Sequence, residues 1–240
     1  MACVVIVKTG DAFPNVVEQH GDFETLFEKQ LHDTLPEPLT LHVWDAKRDP
    51  TPVPLEQLAG IMITGSHSMV SDKEPWSERL KPWLQDALEA DIPMLGVCYG
   101  HQLMAAALGG TSDYHPNGRE LGTHSVALTN AGRNDPLFGQ LPEHFKAHLT
   151  HAQSVLSLPE GTEVLACNSH DAHQALRYGP RQWSVQFHPE FTMPVMRAYI
   201  DAQRGILIDQ EKDPEAIAAQ VVETPDATSL LKRFVALLAS

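Results

Sequence analysis

Two short segments of the chain carry residue types that together can perform nucleophilic catalysis. The first, IPMLGVCYGHQLMAAALGG at residues 92–110, reads as an apolar strand, a Gly-x-Cys-x-Gly turn and a helix closed by two glycines. Gly96 and Gly100 flank Cys98 where a strand must reverse into a helix, and residues without a Cβ let neighbouring backbone pass closely. The first turn of such a helix favours a thiolate, and the N–H of Tyr99 points towards an oxyanion. Cys98 is therefore predicted to be a nucleophile, the alternative being a small buried hydrophobe.

The second segment, SVQFHPEF at residues 184–191, ends an apolar strand in His188, Pro189 and Glu190. Residues two apart on an extended chain face the same way, so Glu190 can hold the imidazole of His188 while the other ring nitrogen faces a thiol. Pro189 stops the strand from continuing. Taken alone, a His-Pro-Glu triplet is a loop end as often as a catalytic pair. Beside a cysteine turn it is the expected base with its orienting acid.

The elements that must position these segments predict an α/β fold. Short β-branched runs recur with room for a helix between them, which is typical of a mostly parallel sheet flanked by helices. The predicted strands are Cys3–Val7, Leu39–Trp44, Gly60–Thr64, Met94–Val97, Ser125–Leu128, Glu163–Asn168, Ala175–Tyr178 and Trp183–Phe187. The predicted helices between them are Asp22–Leu35, Trp76–Ala90 and His101–Leu108. From about Gly118 to Phe187 strands and loops dominate, which predicts an antiparallel ribbon added to the sheet.

After Phe191 the composition changes to helix formers and predicts a helical C-terminal tail. Its helices are expected at Pro194–Ile206, Pro214–Val222 and Ala227–Ala239, each opening near a Pro, Asp or Thr. No repeat or linker divides the sequence. We therefore expect one domain over residues 1–240, with a core at 1–193 and an extension at 194–240.

Composition and charge exclude several classes of protein. The net charge is −14, with no compensating block of Lys or Arg, which disfavours binding to nucleic acid. No stretch approaches the roughly 20 apolar residues of a membrane span, so no membrane contact is expected. The three cysteines, Cys3, Cys98 and Cys167, are far apart and lack metal or redox spacing, which favours a reducing, cytoplasmic location.

Several histidines suggest a metal site as an alternative. Those at 144, 148 and 151, and those at 170 and 173, have spacings that a helix could gather onto one face. The same segments contain Pro, Asn and Asp and lack partner cysteines or a matching carboxylate pattern. We therefore expect neither a metal nor another cofactor.

The pair GVCYGHQLMAAALGG and VQFHPE resembles the signature of the class I glutamine amidotransferases, in particular the glutaminase domain of GMP synthases. The segments IMITGSHSMVSD at 61–72 and THAQSVLSLPEGTEVLA at 150–166 are also similar, so the resemblance spans roughly residues 3–191. It implies a flavodoxin-like sheet. It also implies hydrolysis of the side-chain amide of glutamine to glutamate and ammonia, through a γ-glutamyl thioester and without a cofactor.

The resemblance implies a role for each matching residue of the triad. Cys98 would be the nucleophile, His188 the base that becomes the acid, and Glu190 the third member. The loop at residues 64–67 matches the family's oxyanion strand, so the N–H of Ser66 would pair with that of Tyr99.

Three further residues are expected to bind the substrate. Gln102 matches a residue that helps to hold glutamine, Gly65 belongs to the oxyanion loop, and His151 matches one position of a Ser-His-Gly-Asp loop. This chain departs from that loop at Ala152 and Gln153, and from Gly-Gly-Pro at Ser66 and His67.

Because of these departures, two other functions stay open. One is a γ-glutamyl peptidase acting on γ-glutamyl peptides or conjugates, and the other is a non-catalytic regulatory or binding protein. The sequence carries no GxxxxGK loop or other nucleotide loop of a synthase. Ammonia would therefore pass to a separate synthase subunit, or the chain is a stand-alone hydrolase.

Two features remain secondary. Asp11 and residues 117–120, Asn-Gly-Arg-Glu, lie in predicted loops near strand ends, where α/β proteins bind ligands, but they suit turns equally well. The last helix carries an apolar stripe that is expected to pack on the domain; an exposed stripe would mark a docking face for a synthase subunit or, in a homodimer, a second copy. The stripe consists of Leu230, Leu231, Phe234, Val235, Leu237 and Leu238.

Overall fold

The computed structural model describes residues 3–238. Its strands are β1 Cys3–Lys8, β2 Thr40–Asp45, β3 Leu58–Ile63, β4 Met94–Val97, β5 Thr111–Tyr114, β6 Glu120–Leu128, β7 His144–His151, β8 Gln153–Ser157, β9 Glu163–Cys167, β10 Ala175–Gly179 and β11 Gln182–Val185. Its α-helices are α1 Pro14–His20, α2 Phe23–Leu31, α3 Pro75–Glu89, α4 Tyr99–Ala107, α5 Asn130–Arg133, α6 Met193–Ala202, α7 Arg204–Asp209, α8 Pro214–Ala219 and α9 Pro225–Leu237. Short 3-10 turns cover Leu55–Gln57 and Val70–Asp72.

Within the described residues, nine strands form one sheet in the order β2-β1-β3-β4-β11-β10-β9-β6-β7. The pairs from β2 to β11 are parallel, and the pairs from β11 to β7 are antiparallel. Strands β5 and β8 form a separate antiparallel pair. The predicted α/β fold, a mostly parallel sheet continued by an antiparallel ribbon, is confirmed.

Burial on both faces explains why the central strands are so apolar. In β1, Val4 and Ile6 pack into a cluster that includes residues of α2 and α9, whereas Val5 and Val7 pack into a second cluster with α3 and α4. Because side chains alternate along a strand, a strand covered on both faces needs apolar residues at every position. The carboxyl ends of the parallel strands are left as the open edge where loops can build a site.

The ends of most predicted elements differ from the observed ends by one or two residues, and β4 matches at both ends. Strand β6 begins five residues before the prediction, and α2 ends at Leu31 instead of Leu35. Strand β7 was missed entirely: Phe145, Ala147 and Leu149 are buried between His and Lys side chains. The helix needed to gather its histidines onto one face does not form.

The prediction of a single helix over Pro194–Ile206 is wrong, because the chain breaks between α6 and α7 at Gln203. The side-chain Nε2 of Gln203 donates to the backbone oxygen of Tyr199 and to Thr150 Oγ1, at 3.2 and 3.0 Å. The backbone N–H of Gln203 bonds to the same Tyr199 oxygen at 3.2 Å, so this oxygen at the end of α6 accepts twice from one residue. The break therefore turns the chain where its last helices leave α6.

The last two helices lie where helices were predicted, although their ends differ from the predicted ends. Helix α8 ends at Ala219, three residues early, and α9 covers Pro225–Leu237, while the predicted end at Ala239 lies outside the described residues. The apolar stripe of α9 packs on the sheet, with its first four residues fully buried and its last two partly buried. No helix between residues 3 and 238 is long and apolar enough to cross a membrane.

Candidate active site

A cleft of about 130 Å³ opens at the carboxyl ends of the parallel strands. Five of the predicted site residues line it, namely Ser66, Cys98, Gln102, His151 and His188. Gly65 and Glu190 lie directly behind this lining, Gly65 because it precedes Ser66 and Glu190 because its carboxylate bonds to His188. The structure therefore brings together segments that lie far apart in the sequence.

Cys98 occupies the turn between β4 and α4 in a strained conformation. Its φ and ψ are 51° and −98°, a combination that costs a residue with a side chain on the order of 1–3 kcal/mol. A Cβ on Gly96 would lie 2.7 Å from the carbonyl of Gly100, and a Cβ on Gly100 would lie 2.7 Å from the backbone oxygen of Ile63. Both glycines are therefore required by close backbone approach, as the sequence predicted.

The thiol of Cys98 is 6% exposed and faces the cleft from the N-terminal end of α4. Its Sγ lies 3.9 Å from the backbone oxygen of Thr150. The backbone N–H of Tyr99 belongs to the first turn of the helix, where N–H groups have no intrahelical acceptor. The Tyr99 side chain points elsewhere, because its hydroxyl bonds to Ser77 Oγ at 2.6 Å.

His188 and Glu190 form a buried pair beside this cysteine. His188 Nδ1 lies 2.7 Å from Glu190 Oε1, and the ring of Phe191 stacks on the imidazole at 4.1 Å. His188 Nε2 is buried and has no hydrogen-bond partner in the described part of the chain. Burial lowers the pKa of His188, but the charges of Glu190 and Cys98 outweigh it and raise that pKa to about 10. The site therefore favours an imidazolium.

The loop that begins at Thr64 passes close to the imidazole. A Cβ on Gly65 would lie 3.0 Å from His188 Cε1, so glycine lets the loop approach the ring. Thr9 Oγ1 bonds to Gly65 O at 3.0 Å, and Ser66 Oγ donates to Thr9 O at 2.9 Å. The serine that replaces a glycine here is accommodated by Gly10, whose Cβ would lie 2.4 Å from Ser66 Oγ.

His67, the second departure in this loop, packs among aromatic rings. Its ring lies 4.1 Å from that of Phe13, and its Nε2 is 3.4 Å from the hydroxyl of Tyr199. Burial, followed by the charge of His188, lowers the pKa of His67 to about 4. His67 is therefore neutral and gives the mouth of the cleft an apolar wall.

Gln102 and His151 fix the loop between β7 and β8. Gln102 Nε2 donates to Gln153 O at 2.7 Å and to Gln186 Oε1 at 3.0 Å. The two ring nitrogens of His151 contact Gln153 O and Glu120 Oε2, at 2.9 and 3.0 Å. Because both nitrogens already have partners, the imidazole offers a ligand its ring and not a free nitrogen. Direct substrate contacts of Gln102 and His151 remain predictions.

The cleft also has lining residues that the sequence patterns did not single out. Tyr199, Gln203 and Ile206 come from α6, the break after it and α7, in the tail beyond the resemblance. Arg119, noted only as part of a loop, precedes β6 and reaches the cleft. No local sequence pattern points to Arg119 or Gln203, because each bonds to the other across 84 residues of chain.

The fold and this site define an α/β protein with a cysteine at a strand-to-helix turn and a His–Glu pair at the end of a neighbouring strand. A sequence model of the family described as Glutamine amidotransferase class-I matches residues 22–204. The chain belongs to this family. The match extends beyond the resemblance into α6.

Three comparisons place it among its relatives. It is 32% identical over 149 residues to a glutamine-hydrolyzing GMP synthase subunit of Methanocaldococcus jannaschii, covering 59% of this chain and 72% of that protein. It is 27% identical over 175 residues to gamma-glutamyl peptidase 5 of Arabidopsis thaliana, covering 72% and 70%. A glutamine amidotransferase structure from Thermotoga maritima superposes with a TM-score of 0.77 at 20% identity, covering 100% of this chain and 98% of the other, and so shares its fold. The resemblance to GMP synthase glutaminase domains is confirmed.

Proposed function

We propose that this chain hydrolyses the side-chain amide of glutamine, giving glutamate and ammonia through a γ-glutamyl thioester on Cys98. The observation that carries the proposal is the convergence of three features in one cleft: the strained Cys98, the buried His188–Glu190 pair and the first-turn N–H of Tyr99. Family membership supports the same chemistry.

In the first half of the reaction, the Cys98 thiolate attacks the amide carbon and forms a C–S bond. The N–H groups of Tyr99 and Ser66 stabilise the oxyanion. His188 gives its proton to the nitrogen as the C–N bond breaks, so ammonia leaves. Glu190 keeps the imidazole oriented through Nδ1.

In the second half, the neutral His188 takes a proton from water while the water oxygen attacks the thioester carbon. The C–S bond breaks, glutamate leaves and Cys98 returns as the thiolate beside the imidazolium. No redox partner or cofactor enters this balance. Gly65, Gln102 and His151 are proposed to shape the site that receives the glutamyl chain.

Glutamate release from glutamine tests the proposal, with Cys98→Ala as the blank. The wild-type chain is expected to turn over, and the variant should lose at least about 10³-fold, as triad nucleophiles do. Mass spectrometry of an acid-quenched mixture should detect the glutamyl adduct on Cys98. Equal rates in both proteins would contradict the proposal.

A second candidate is a γ-glutamyl peptidase, in which the leaving group is the amine of a peptide. The similarity to gamma-glutamyl peptidase 5 favours it, as does the Ala152–Gln153 departure in the loop after β7. The two candidate reactions break and form the same bonds and differ only in the size of the leaving amine. A kcat/KM for γ-glutamyl dipeptides well above that for glutamine would select the peptidase.

If the chain hydrolysed neither class of substrate, two explanations would remain. One is a missing partner: the Methanocaldococcus relative is named as one subunit of GMP synthase, so we propose that ammonia passes from this chain to a separate synthase subunit. The other is a non-catalytic binding protein, expected if Cys98→Ala changed no measurable property even with such a synthase present.

The free cysteines, Cys3, Cys98 and Cys167, support our proposal of a cytoplasmic location.

A further inference from the structure

Arg119 is a cation in the cleft that holds the candidate nucleophile. It directly precedes β6, and its half-buried side chain lines the same cavity as Cys98. Burial lowers the pKa of Arg119 below its usual range, although a guanidinium stays protonated in proteins. The cleft therefore carries a permanent positive charge.

Among the described residues, this charge has no carboxylate as a counter-ion. No carboxylate in residues 3–238 forms an ion pair with Arg119, in contrast to Arg48, which pairs with both Asp11 and Asp45. Arg119 Nη1 donates to the neutral amide of Gln203 at 2.9 Å, and its Nε is buried without a partner. A half-buried cation without a paired carboxylate is unfavourable, so binding of a carboxylate in the pocket should lower the free energy.

The guanidinium is held in place before any ligand arrives. Gln203 accepts from Arg119 through Oε1 and donates through Nε2 to Thr150 Oγ1 at 3.0 Å. The backbone oxygen of the same Thr150 lies 3.9 Å from Cys98 Sγ. On its other side, Lys212 Nζ donates to the Arg119 backbone oxygen at 2.7 Å. This chain of contacts fixes the distance between the cation and the thiol.

Apart from the proposed nucleophile Cys98, the rest of the lining adds no side chain that could carry a negative charge at neutral pH. No Asp or Glu of the described residues lines the cleft. A guanidinium binds a planar carboxylate through paired N–H donors. A γ-glutamyl substrate has one carboxylate a fixed number of bonds from the amide that Cys98 attacks.

We infer that Arg119, held by Gln203, binds the α-carboxylate of the γ-glutamyl group and makes this carboxylate the main charged feature by which the site selects its substrate. The inference rests on the proposed function for the identity of the scissile amide. It applies to glutamine and to γ-glutamyl peptides alike, because both present the same α-carboxylate.

The test compares two substrates in the wild type and in variants of Arg119 and Arg204. Glutamine and glutaminamide differ only in that the α-carboxylate is replaced by a neutral amide. Ammonia and product release are measured by mass spectrometry for the wild type, for Arg119→Met and for Arg204→Met. The last variant is a matched control, because it removes an exposed arginine that does not line the cleft and pairs with Asp201 and Glu215.

For glutamine, Arg119→Met is expected to raise KM by about 10- to 100-fold, the loss typical of a hydrogen bond to a charged group. For glutaminamide, hydrolysed at its side chain, the same variant should change KM less than about 3-fold. Arg204→Met should behave as wild type with both. Arg119→Lys, which keeps the charge and loses the fork, should recover part of the affinity for glutamine.

Equal losses with both substrates would overturn the inference, because Arg119 would then act on Cys98 or on the shape of the cleft. Equal kcat/KM for glutamine and glutaminamide in the wild type would also overturn it, and this arm needs no variant to fold. If no amide were hydrolysed, the proposed function would fail separately. In that case, calorimetry would measure the binding of glutarate to Cys98→Ala. Loss of this binding in the double variant Cys98→Ala/Arg119→Met would support the assignment, and unchanged binding would refute it.

Discussion

His188 Nδ1 lies 2.7 Å from Glu190 Oε1, and both side chains are almost completely withdrawn from solvent. A carboxylate in this position fixes which ring nitrogen bears the proton when the imidazole is neutral. It also offsets the unfavourable burial of the imidazolium. The protonation of His188 is thereby linked to the folding of the chain.

The free energy of unfolding should depend on pH through this pair. Folding raises the pKa of His188 from 6.5 to about 10, so between these values the folded chain binds one more proton than the unfolded chain. The contribution is complete below about pH 6.5 and is lost as pH rises through about 10, at roughly 1 kcal/mol per pH unit. Urea unfolding across this window measures it. Glu190→Gln should flatten the slope, and an unchanged slope would contradict this explanation.

The close approach of Gly65 to His188 predicts a variant that loses activity more than stability. In Gly65→Ala the new Cβ would lie 3.0 Å from His188 Cε1, so the imidazole must move by several tenths of an ångström. We expect kcat to fall by about 10²-fold, as small displacements of catalytic groups cause. Gly205→Ala is the control, since its Cβ would meet nothing within 4 Å. Helix propensity should stabilise that variant by up to about 1 kcal/mol, and equal activity of the two variants would refute the prediction.

Removing the amide of Gln102 should loosen the loop between β7 and β8. Gln102→Leu leaves Gln186 Oε1 without its donor and removes one of two donors to Gln153 O. Thermal or urea unfolding should detect a loss of about 1–3 kcal/mol, and KM should rise in the fraction that stays folded. Gln85→Leu, whose amide donates to Ala107 O outside the cleft, should leave KM unchanged. A Gln102→Leu protein with wild-type KM would separate this loop from substrate binding.

The α-amino group of the substrate should matter little. Because no Asp or Glu of the described chain lines the cleft, an ammonium has no side-chain anion to bind and lies near the charge of Arg119. Glutaramate, which is glutamine without its amino group, is therefore expected to be hydrolysed with a kcat/KM within about 10-fold of that for glutamine, a difference of at most about 1.4 kcal/mol. Competition between the two amides measures the ratio directly. A preference for glutamine above about 100-fold would show that backbone groups recognise the ammonium.

Local rules were enough to predict which side chains lie together at the centre of the candidate site. Gly96 and Gly100 signal close backbone approach around Cys98, and the two-residue period of extended chain places Glu190 beside His188. Both signals depend on residues that are neighbours in the chain. The central parallel strands were predicted for the same reason, because burial on both faces leaves an uninterrupted apolar run.

The parts that were missed have different causes. Strand β7 alternates apolar with polar side chains, which is the period of a strand, but it lacks the β-branched run by which the other strands were predicted. Gln203 lies at the break between two helices, and its side chain bonds to Thr150 and Arg119, neither of which is near it in sequence. No sequence pattern around residue 203 indicates a partner that comes close only when the chain folds.

The late position of Gln203 in the sequence affects the order in which the site is completed during synthesis. A chain is synthesised and begins to fold from its N-terminus, so Cys98, His188 and Glu190 leave the ribosome before Gln203 and Ile206. A nascent chain can thus carry the whole triad while Arg119 still lacks the amide that orients it. If Arg119 holds the substrate as proposed, this ability depends on a residue that is translated after the whole candidate triad.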